Sequence, residues 1–169
     1  MKYLVVVDMQ NDFISGSLGG ADAVSILPTV KAKISEARSA GTEIVFTRDT
    51  HGADYFSTQE GRMLPVGHCV KDSDGWQIAE GLYREGDKIF DKPTFGSVAL
   101  AEYLRGEGFE RIGFIGVCTD ISVVSNALLA KAYCPEAEIF VDPKCCAGTS
   151  ESAHNAAIST MRSCQIQVV

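Results

Sequence analysis

Short apolar runs of strand-like residues alternate with helical stretches along this chain, and this alternation constrains the fold more than any other feature. Several runs are continuously apolar, as expected for central strands that are buried on both faces. The predicted strands cover residues 3–7, 43–47, 88–90, 112–117, 138–141 and 165–169, and the predicted helices cover residues 26–40, 97–105, 120–132 and 152–161. Strands that alternate with helices favour a parallel sheet with right-handed crossovers, so we predict an α/β fold.

Composition and charge exclude several classes of protein. The chain has 169 residues, of which 46% are hydrophobic, so we predict a single globular domain over residues 1–169. The net charge is −7 and no cluster of lysine and arginine occurs, so we expect no nucleic-acid partner. The first apolar run is short and ends at an aspartate, so it predicts neither a signal peptide nor a membrane span. We therefore expect a cytoplasmic protein with no membrane partner, whose cysteines are thiols.

Polar residues follow four of the predicted strands. Asp8, Asp49, Lys92 and the segment 118–122 each come after such a run. In an open parallel sheet, ligands bind beyond the carboxyl ends of the strands, where these residues would meet. The connection from residue 49 to about residue 86 shows little periodicity, and a connection of that length inside a compact domain is usually functional. We therefore expect the functional site at this edge of the sheet.

Asp8 and Lys92 are candidates for acid–base and electrostatic roles. Asp8 ends the first predicted strand, where a carboxylate is well placed to act as a general base. A turn cap for the following loop is an equal alternative, and Asn11 or Asp12 fits that role as well. Lys92 would hold a nearby carboxylate or depress the pKa of a nucleophile. Taken alone, however, it would be an ordinary solvated lysine.

The long connection contains a candidate metal site. Asp49 and His51 lie two positions apart, so their side chains share one face of an extended segment and can reach the same ion. Glu60 and His68 follow in the same connection, which holds two of the three histidines in the chain. Imidazoles and carboxylates together suit Zn²⁺, Fe²⁺ or Mn²⁺. An Asp-x-His pair is by itself a weak signal.

A nucleophile is expected where the fourth predicted strand runs into a helix. Thr119 or Asp120 is predicted to cap that helix, whose first turn presents N–H groups that can stabilise an oxyanion. Two side chains qualify, those of Cys118 and Ser122. Chemistry alone favours Cys118, because a thiolate is the better nucleophile at neutral pH.

These segments together, in their order and spacing, resemble the nicotinamidase/isochorismatase-like cysteine hydrolases over nearly the whole chain. The resemblance implies a three-layer α/β/α fold with a six-stranded, mostly parallel, doubly wound sheet. VVVDMQNDF resembles the segment with the catalytic aspartate, and FDKPTFGS resembles the segment with the catalytic lysine, which implies these roles for Asp8 and Lys92. TRDTH with the later HC pair resembles a metal loop, which implies a bound zinc ion, or iron or manganese, with the ligands Asp49, His51, Glu60 and His68.

The resemblance also changes the expected nucleophile. CTDISV aligns so that Cys118 takes the first position of the family motif and Ser122 takes the position of the nucleophilic cysteine. Backbone N–H groups of Cys118 and Ser122 would then form the oxyanion hole, and the Val117–Cys118 peptide bond would be cis. An alcohol is a weaker nucleophile than a thiol. We therefore expect impaired turnover, whether this serine is natural or replaces a cysteine to trap the substrate.

The activity implied by the resemblance is hydrolysis of nicotinamide, or a similar small amide, to the acid and ammonia through a covalent acyl-enzyme. Phe13, Leu64 and Phe95 are expected to line the substrate pocket, although core packing also explains the two phenylalanines. Family members commonly form oligomers, so a homo-oligomer is expected. The alternatives are a family hydrolase acting on another small amide or ureido compound, and a catalytically silent protein that binds a metabolite.

Overall fold

The computed structural model describes residues 2–107 and 110–169, and its strands form one parallel sheet. The strand order is β3-β2-β1-β4-β5-β6, and every neighbouring pair is parallel. The strands are β1 Lys2–Val7, β2 Glu43–Asp49, β3 Lys88–Lys92, β4 Arg111–Val117, β5 Glu138–Ala147 and β6 Gln167–Val168. The predicted α/β fold is therefore confirmed, and the sheet is parallel throughout rather than mostly parallel.

Helices cover both faces of the sheet. They are α1 Asn11–Ile14, α2 Ala21–Ser39, α3 Gln59–Met63, α4 Val98–Glu107, α5 Val124–Tyr133 and α6 Glu151–Ser163. Along β1, Tyr3 and Val5 pack into one core with α4, α5 and α6, whereas Leu4 and Val6 pack into the other core with α1 and α2. Successive side chains of a strand point to opposite faces, so a strand buried on both faces must be apolar throughout. This confirms the three-layer architecture.

Several element boundaries differ from the predicted ones. Helix α2 begins at Ala21 instead of residue 26, which places Asp22 in its first turn, where a carboxylate interacts favourably with the helix dipole. The helix predicted at residue 120 begins as a π-helical turn over Thr119–Val123 and becomes α-helical at Val124. Strand β5 continues to Ala147 after a shift in its register against β4. These differences lie at the edge of the sheet where the polar residues collect.

The connection between β2 and β3 contacts α1 and doubles back on itself. The Asp12 carboxylate accepts a hydrogen bond of 2.8 Å from the backbone N–H of Cys69. A single bridge pairs His51 with Val70, so the chain doubles back beside the end of β2. Among residues 2–107 and 110–169, no helix is both long and apolar enough to cross a bilayer.

Candidate active site

The polar residues predicted at the strand ends converge around one buried lysine. Lys92 ends β3 with its side chain 1% exposed, and its Nζ lies 2.6 Å from Asp8 Oδ2 at the end of β1. The same Nζ lies 3.4 Å from Ser122 Oγ and 3.5 Å from Asp49 Oδ1. It also donates a hydrogen bond to the carbonyl oxygen of Thr94. The structure therefore places Lys92 between a carboxylate and a hydroxyl, and the reading of Lys92 as a solvated lysine is wrong.

Burial sets the electrostatics of this group. Burial raises the pKa of Asp8, and the charge of Lys92 offsets only part of that shift. Burial lowers the pKa of Lys92, but the charges of Asp8 and Asp49 outweigh it, so the pKa ends above the usual range and the amine stays an ammonium ion. Thr47 Oγ1 donates a hydrogen bond of 2.7 Å to Asp8 Oδ1 and fixes the orientation of the carboxylate. Asp8 is thus a more basic carboxylate than a solvated one.

The four predicted metal ligands also come together. One ligand atom from each of Asp49, His51, Glu60 and His68 lies within 4.8 Å of the others. Asp49 Oδ2 lies 3.0 Å from His51 Nε2 and 3.4 Å from His68 Nε2. His68 Nδ1 lies 2.8 Å from the carbonyl oxygen of Val66 and must carry the proton there, because a carbonyl oxygen only accepts. The lone pair on Nε2 therefore points into the group, as a metal ligand requires.

The donor set fits a divalent transition metal. Two imidazoles and two carboxylates suit zinc, iron or manganese. Burial and the charge of Asp49 raise the pKa of Glu60, so the two carboxylates repel each other and a cation between them would relieve that repulsion. The ring of Tyr55 packs against both imidazoles, with centroids 4.7 Å from His51 and 5.0 Å from His68. The ligands are therefore held in place by packing.

Gln10 has a role that the sequence analysis missed. Its side chain is fully buried, and its Nε2 donates hydrogen bonds of 2.9 Å to the carbonyl oxygens of Asp49 and Trp76. Its Oε1 accepts one of 2.8 Å from the backbone N–H of Asp49. Gln10 thus holds the backbone of a predicted metal ligand on both sides. The sequence carries no local signal for this contact, because the burial of Gln10 and its partners 39 positions away follow from the tertiary structure.

We expect Gln10→Ala to lower the free energy of unfolding by about 2–4 kcal/mol, because backbone groups of Asp49 and Trp76 lose their partners inside the protein. Affinity for zinc should fall about 10–100-fold, as it does when groups that orient metal ligands are removed. Urea unfolding and zinc titration measure the two effects. Gln77→Ala is the matched control, because Gln77 is exposed in the same connection. Equal behaviour of the two variants would contradict the positioning role.

The turn after β4 contains both candidate nucleophiles. The Val117–Cys118 peptide bond is cis, as the resemblance implies. Gly116 before it has a φ of +120°, and a Cβ there would lie 2.1 Å from the carbonyl oxygen of Val7, so only glycine fits. The predicted helix cap by Thr119 or Asp120 is wrong, because no side chain caps this π-helical turn.

Thr119 and Asp120, the two residues predicted to cap the helix, instead contact α6 and the loop that precedes it. Thr119 Oγ1 lies 2.8 Å from His154 Nδ1. The Asp120 carboxylate accepts hydrogen bonds from the backbone N–H and the hydroxyl of Thr149. These long-range partners fix the turn against the neighbouring element, which a local capping pattern does not reveal.

Geometry and electrostatics favour Ser122 over Cys118 as the nucleophile. Lys92 Nζ reaches Ser122 Oγ, whereas burial, with the charges of Asp120 and Asp8, raises the pKa of Cys118 to about 12. Cys118 is therefore a neutral thiol at physiological pH and a poor nucleophile. The preference for Cys118 that rests on thiol chemistry alone finds no support in its surroundings.

We expect Cys118 to react slowly with iodoacetamide between pH 7 and pH 9, because the thiolate forms only as the pH approaches the raised pKa of Cys118. Cys164 is exposed and serves as the internal control for an accessible thiol. Mass spectrometry of peptides after timed labelling measures both sites. Labelling of Cys118 faster than Cys164 at pH 7 would contradict this assignment.

A cavity of about 460 Å³ opens above Ser122 and the metal group. The predicted pocket residues Phe13, Leu64 and Phe95 all line it. Leu64 and Phe95 are 38% and 43% exposed, so they form its rim and Phe95 is not a core residue. Phe13 packs against the core beneath α2 and also lines the cavity, so for this residue both readings hold.

Comparisons with known proteins show which family this chain resembles. A sequence model described as the isochorismatase domain matches residues 2–169. The pyrazinamidase of Pyrococcus horikoshii, solved in complex with zinc, has a TM-score of 0.88 and 30% identity over 99% of this chain and 98% of that one. The nicotinamidase/pyrazinamidase of Mycobacterium tuberculosis is 26% identical over 100% of this chain and 98% of its own length. The ureidoacrylate amidohydrolase RutB of Serratia proteamaculans is 26% identical over 73% of this chain and 61% of its own length.

Proposed function

The chain belongs to the isochorismatase family and is a hydrolase of amide carbon–nitrogen bonds, and from these premises we propose that it cleaves a small carboxamide such as nicotinamide to the acid and ammonia. The observation that carries the proposal is the contact of Lys92 with both Asp8 and Ser122 beside an apolar cavity. A base, a cation and a nucleophile in contact are the groups that acyl transfer requires.

The proposed reaction uses these groups in two steps. Asp8 takes the proton of the Ser122 hydroxyl while the Lys92 ammonium stabilises the developing charge on Oγ. Oγ attacks the amide carbon, and the backbone N–H groups of Cys118 and Ser122 receive the oxyanion. Ammonia leaves with the proton returned by Asp8. A water molecule, deprotonated by Asp8, then hydrolyses the ester and releases the acid and Ser122.

The group formed by Asp49, His51, Glu60 and His68 is proposed to hold the metal ion, with zinc favoured over iron and manganese. When bound, the ion would supply a Lewis-acid contact for a ring nitrogen of the substrate or for an ordered water molecule. Asp49 also faces Lys92, with 3.5 Å between its Oδ1 and Nζ, so it links the ligand group to the groups that act on Ser122.

Assembly and location are also proposals. The family match over residues 2–169 supports a single domain. Phe56 and Met63 lie in the connection that carries the metal ligands and are 60% and 77% exposed, and exposed apolar side chains support self-association into a homo-oligomer. We place the protein in the cytoplasm, with small amides as its partners and no role in nucleic-acid or membrane binding.

Ammonia release tests the proposed function. Nicotinamide, pyrazinamide and ureidoacrylate are each supplied to the purified protein and to Ser122→Cys, and ammonia is measured with a coupled enzyme assay. Release from either carboxamide by Ser122→Cys supports the proposal. Release from ureidoacrylate alone would contradict the proposal and would support the alternative, a family hydrolase that acts on a ureido compound.

A catalytically silent metabolite-binding protein is the second candidate. The observation that favours it is Ser122, because a carboxylate is a poor base for an aliphatic alcohol. Such a protein would bind nicotinamide in calorimetry and release no ammonia, even as Ser122→Cys.

A further inference from the structure

The cavity above Ser122 has an uneven distribution of charge. Its acidic lining residues within the described ranges are Asp22, Asp49 and Glu60, and no lysine or arginine is among that lining. Asp49 and Glu60 belong to the metal group, where a divalent ion would balance them. Asp22 is the remaining carboxylate of the described lining; the N-terminal end of α2 lies beside it, and no lysine or arginine of that lining faces it.

Lys92 does not offset the charge of Asp22. It lies below the floor of the cavity, 1% exposed, and is paired with Asp8 at 2.6 Å. Asp22 lines the same cavity as Ser122, so a substrate bound there can present a group to Asp22, and the described lining offers no lysine or arginine that would compete for it.

Asp22 lies where two cavities adjoin. It lies in the first turn of α2, and it borders both the main cavity and a second cavity of about 300 Å³. The second cavity adds another acidic residue, Glu151, and also has no lysine or arginine in its described lining. A volume of about 460 Å³ lies in the range of pockets that hold drug-sized ligands, which exceeds the need of a one-ring amide.

We infer that Asp22 determines substrate specificity: the site takes an amide whose far end carries a cationic or hydrogen-bond-donating group, and it disfavours an amide with a carboxylate there. The inference rests on the proposed function and deepens it, because it separates neutral or cationic carboxamides from acidic ureido compounds. The carboxamide lies at Ser122, and the far end of the molecule extends to Asp22, where the two cavities adjoin.

The expected effect is modest because Asp22 is exposed. An exposed ion pair contributes at most about 1 kcal/mol, which corresponds to about a fivefold change in affinity. Salt screens such a contact, so the preference should weaken between 20 mM and 500 mM sodium chloride.

The test uses three benzamides that differ only in the para substituent: aminomethyl, hydroxymethyl and carboxymethyl. Calorimetry measures their binding to the unaltered protein loaded with zinc, which requires no turnover. The aminomethyl compound should bind about fivefold tighter than the hydroxymethyl compound, and the carboxymethyl compound about fivefold more weakly. Asp22→Lys should reverse this order.

Glu36→Lys is the matched control. Glu36 is also exposed on α2, near its other end, and the substitution changes the net charge by the same amount. It should leave the order of the three affinities unchanged. Equal affinities for all three compounds, or an order that Asp22→Lys leaves unaltered, would overturn the inference while the proposed function stands. If none of the three binds and Ser122→Cys hydrolyses no amide, the proposed function fails together with the inference.

Discussion

Replacing Ser122 by cysteine should raise kcat/KM for the amide substrate at least about 100-fold while the binding constant changes little. Asp8, Lys92 and the cavity are unaltered by the exchange, so the groups that bind and orient the amide remain. Only the attacking atom changes. A thiol beside the Lys92 ammonium loses its proton far more readily than an alcohol does, and the thiolate is the stronger nucleophile. Steady-state ammonia release gives kcat/KM, and calorimetry gives the binding constant.

Cys118→Ser is the control for the identity of the nucleophile. Only the backbone of Cys118 is assigned a role, so this exchange should change kcat/KM much less than an exchange at position 122. The assignment is wrong if Cys118→Ser abolishes activity and Ser122→Cys leaves it unchanged. In that case Cys118 is the nucleophile, and the alignment of CTDISV with the family motif must be withdrawn.

The unaltered protein should contain near-stoichiometric divalent metal, and His51→Ala should lose it, with an affinity lowered at least about 100-fold. His51 is 6% exposed and its Nε2 lies 3.0 Å from Asp49 Oδ2, so its removal takes one ligand from a closed group. Elemental analysis of purified protein measures the content. A ligand bound only by the folded state stabilises it, so a chelator should lower the Tm of the unaltered protein and not that of His51→Ala.

His154→Ala is the matched control for the metal. His154 is the one histidine of the chain outside the ligand group, and it contacts Thr119 instead. This variant should retain the metal content of the unaltered protein. An unaltered protein that contains no metal and still binds nicotinamide normally would contradict the proposed ligand group.

Local patterns were sufficient to predict the elements that carry the site. Apolar runs bounded by polar residues predicted the strands, because burial on both faces excludes polar side chains from a central strand. The end of each run then placed Asp8 and Asp49 at the carboxyl edge, and the structure puts both there. The spacing of Asp49 and His51 also predicted that both can bind one ion, because side chains two positions apart in an extended segment lie on the same face.

Partners far apart in the sequence could not be predicted in this way. Gln10 holds Asp49, and Thr119 contacts His154, through hydrogen bonds between separate elements. Neither contact has a local signature. The predicted helix cap is wrong because the side chains of Thr119 and Asp120 bond to His154 in α6 and to Thr149 in the loop before it. They do not cap the N–H groups of their own turn.

The sequence by itself determined the α/β class, the edge of the sheet that carries the site and the residue types available there. The tertiary structure decided which of those residues meet. In the strand order β3-β2-β1, the side chain of Lys92 at the end of β3 reaches across the end of β2 to Asp8 at the end of β1. The turn after β4 places Ser122 Oγ next to the same ammonium group. Periodicity shows where a strand ends, because burial acts on each residue locally. It does not encode strand order or register, and these fix the distances between side chains on different strands.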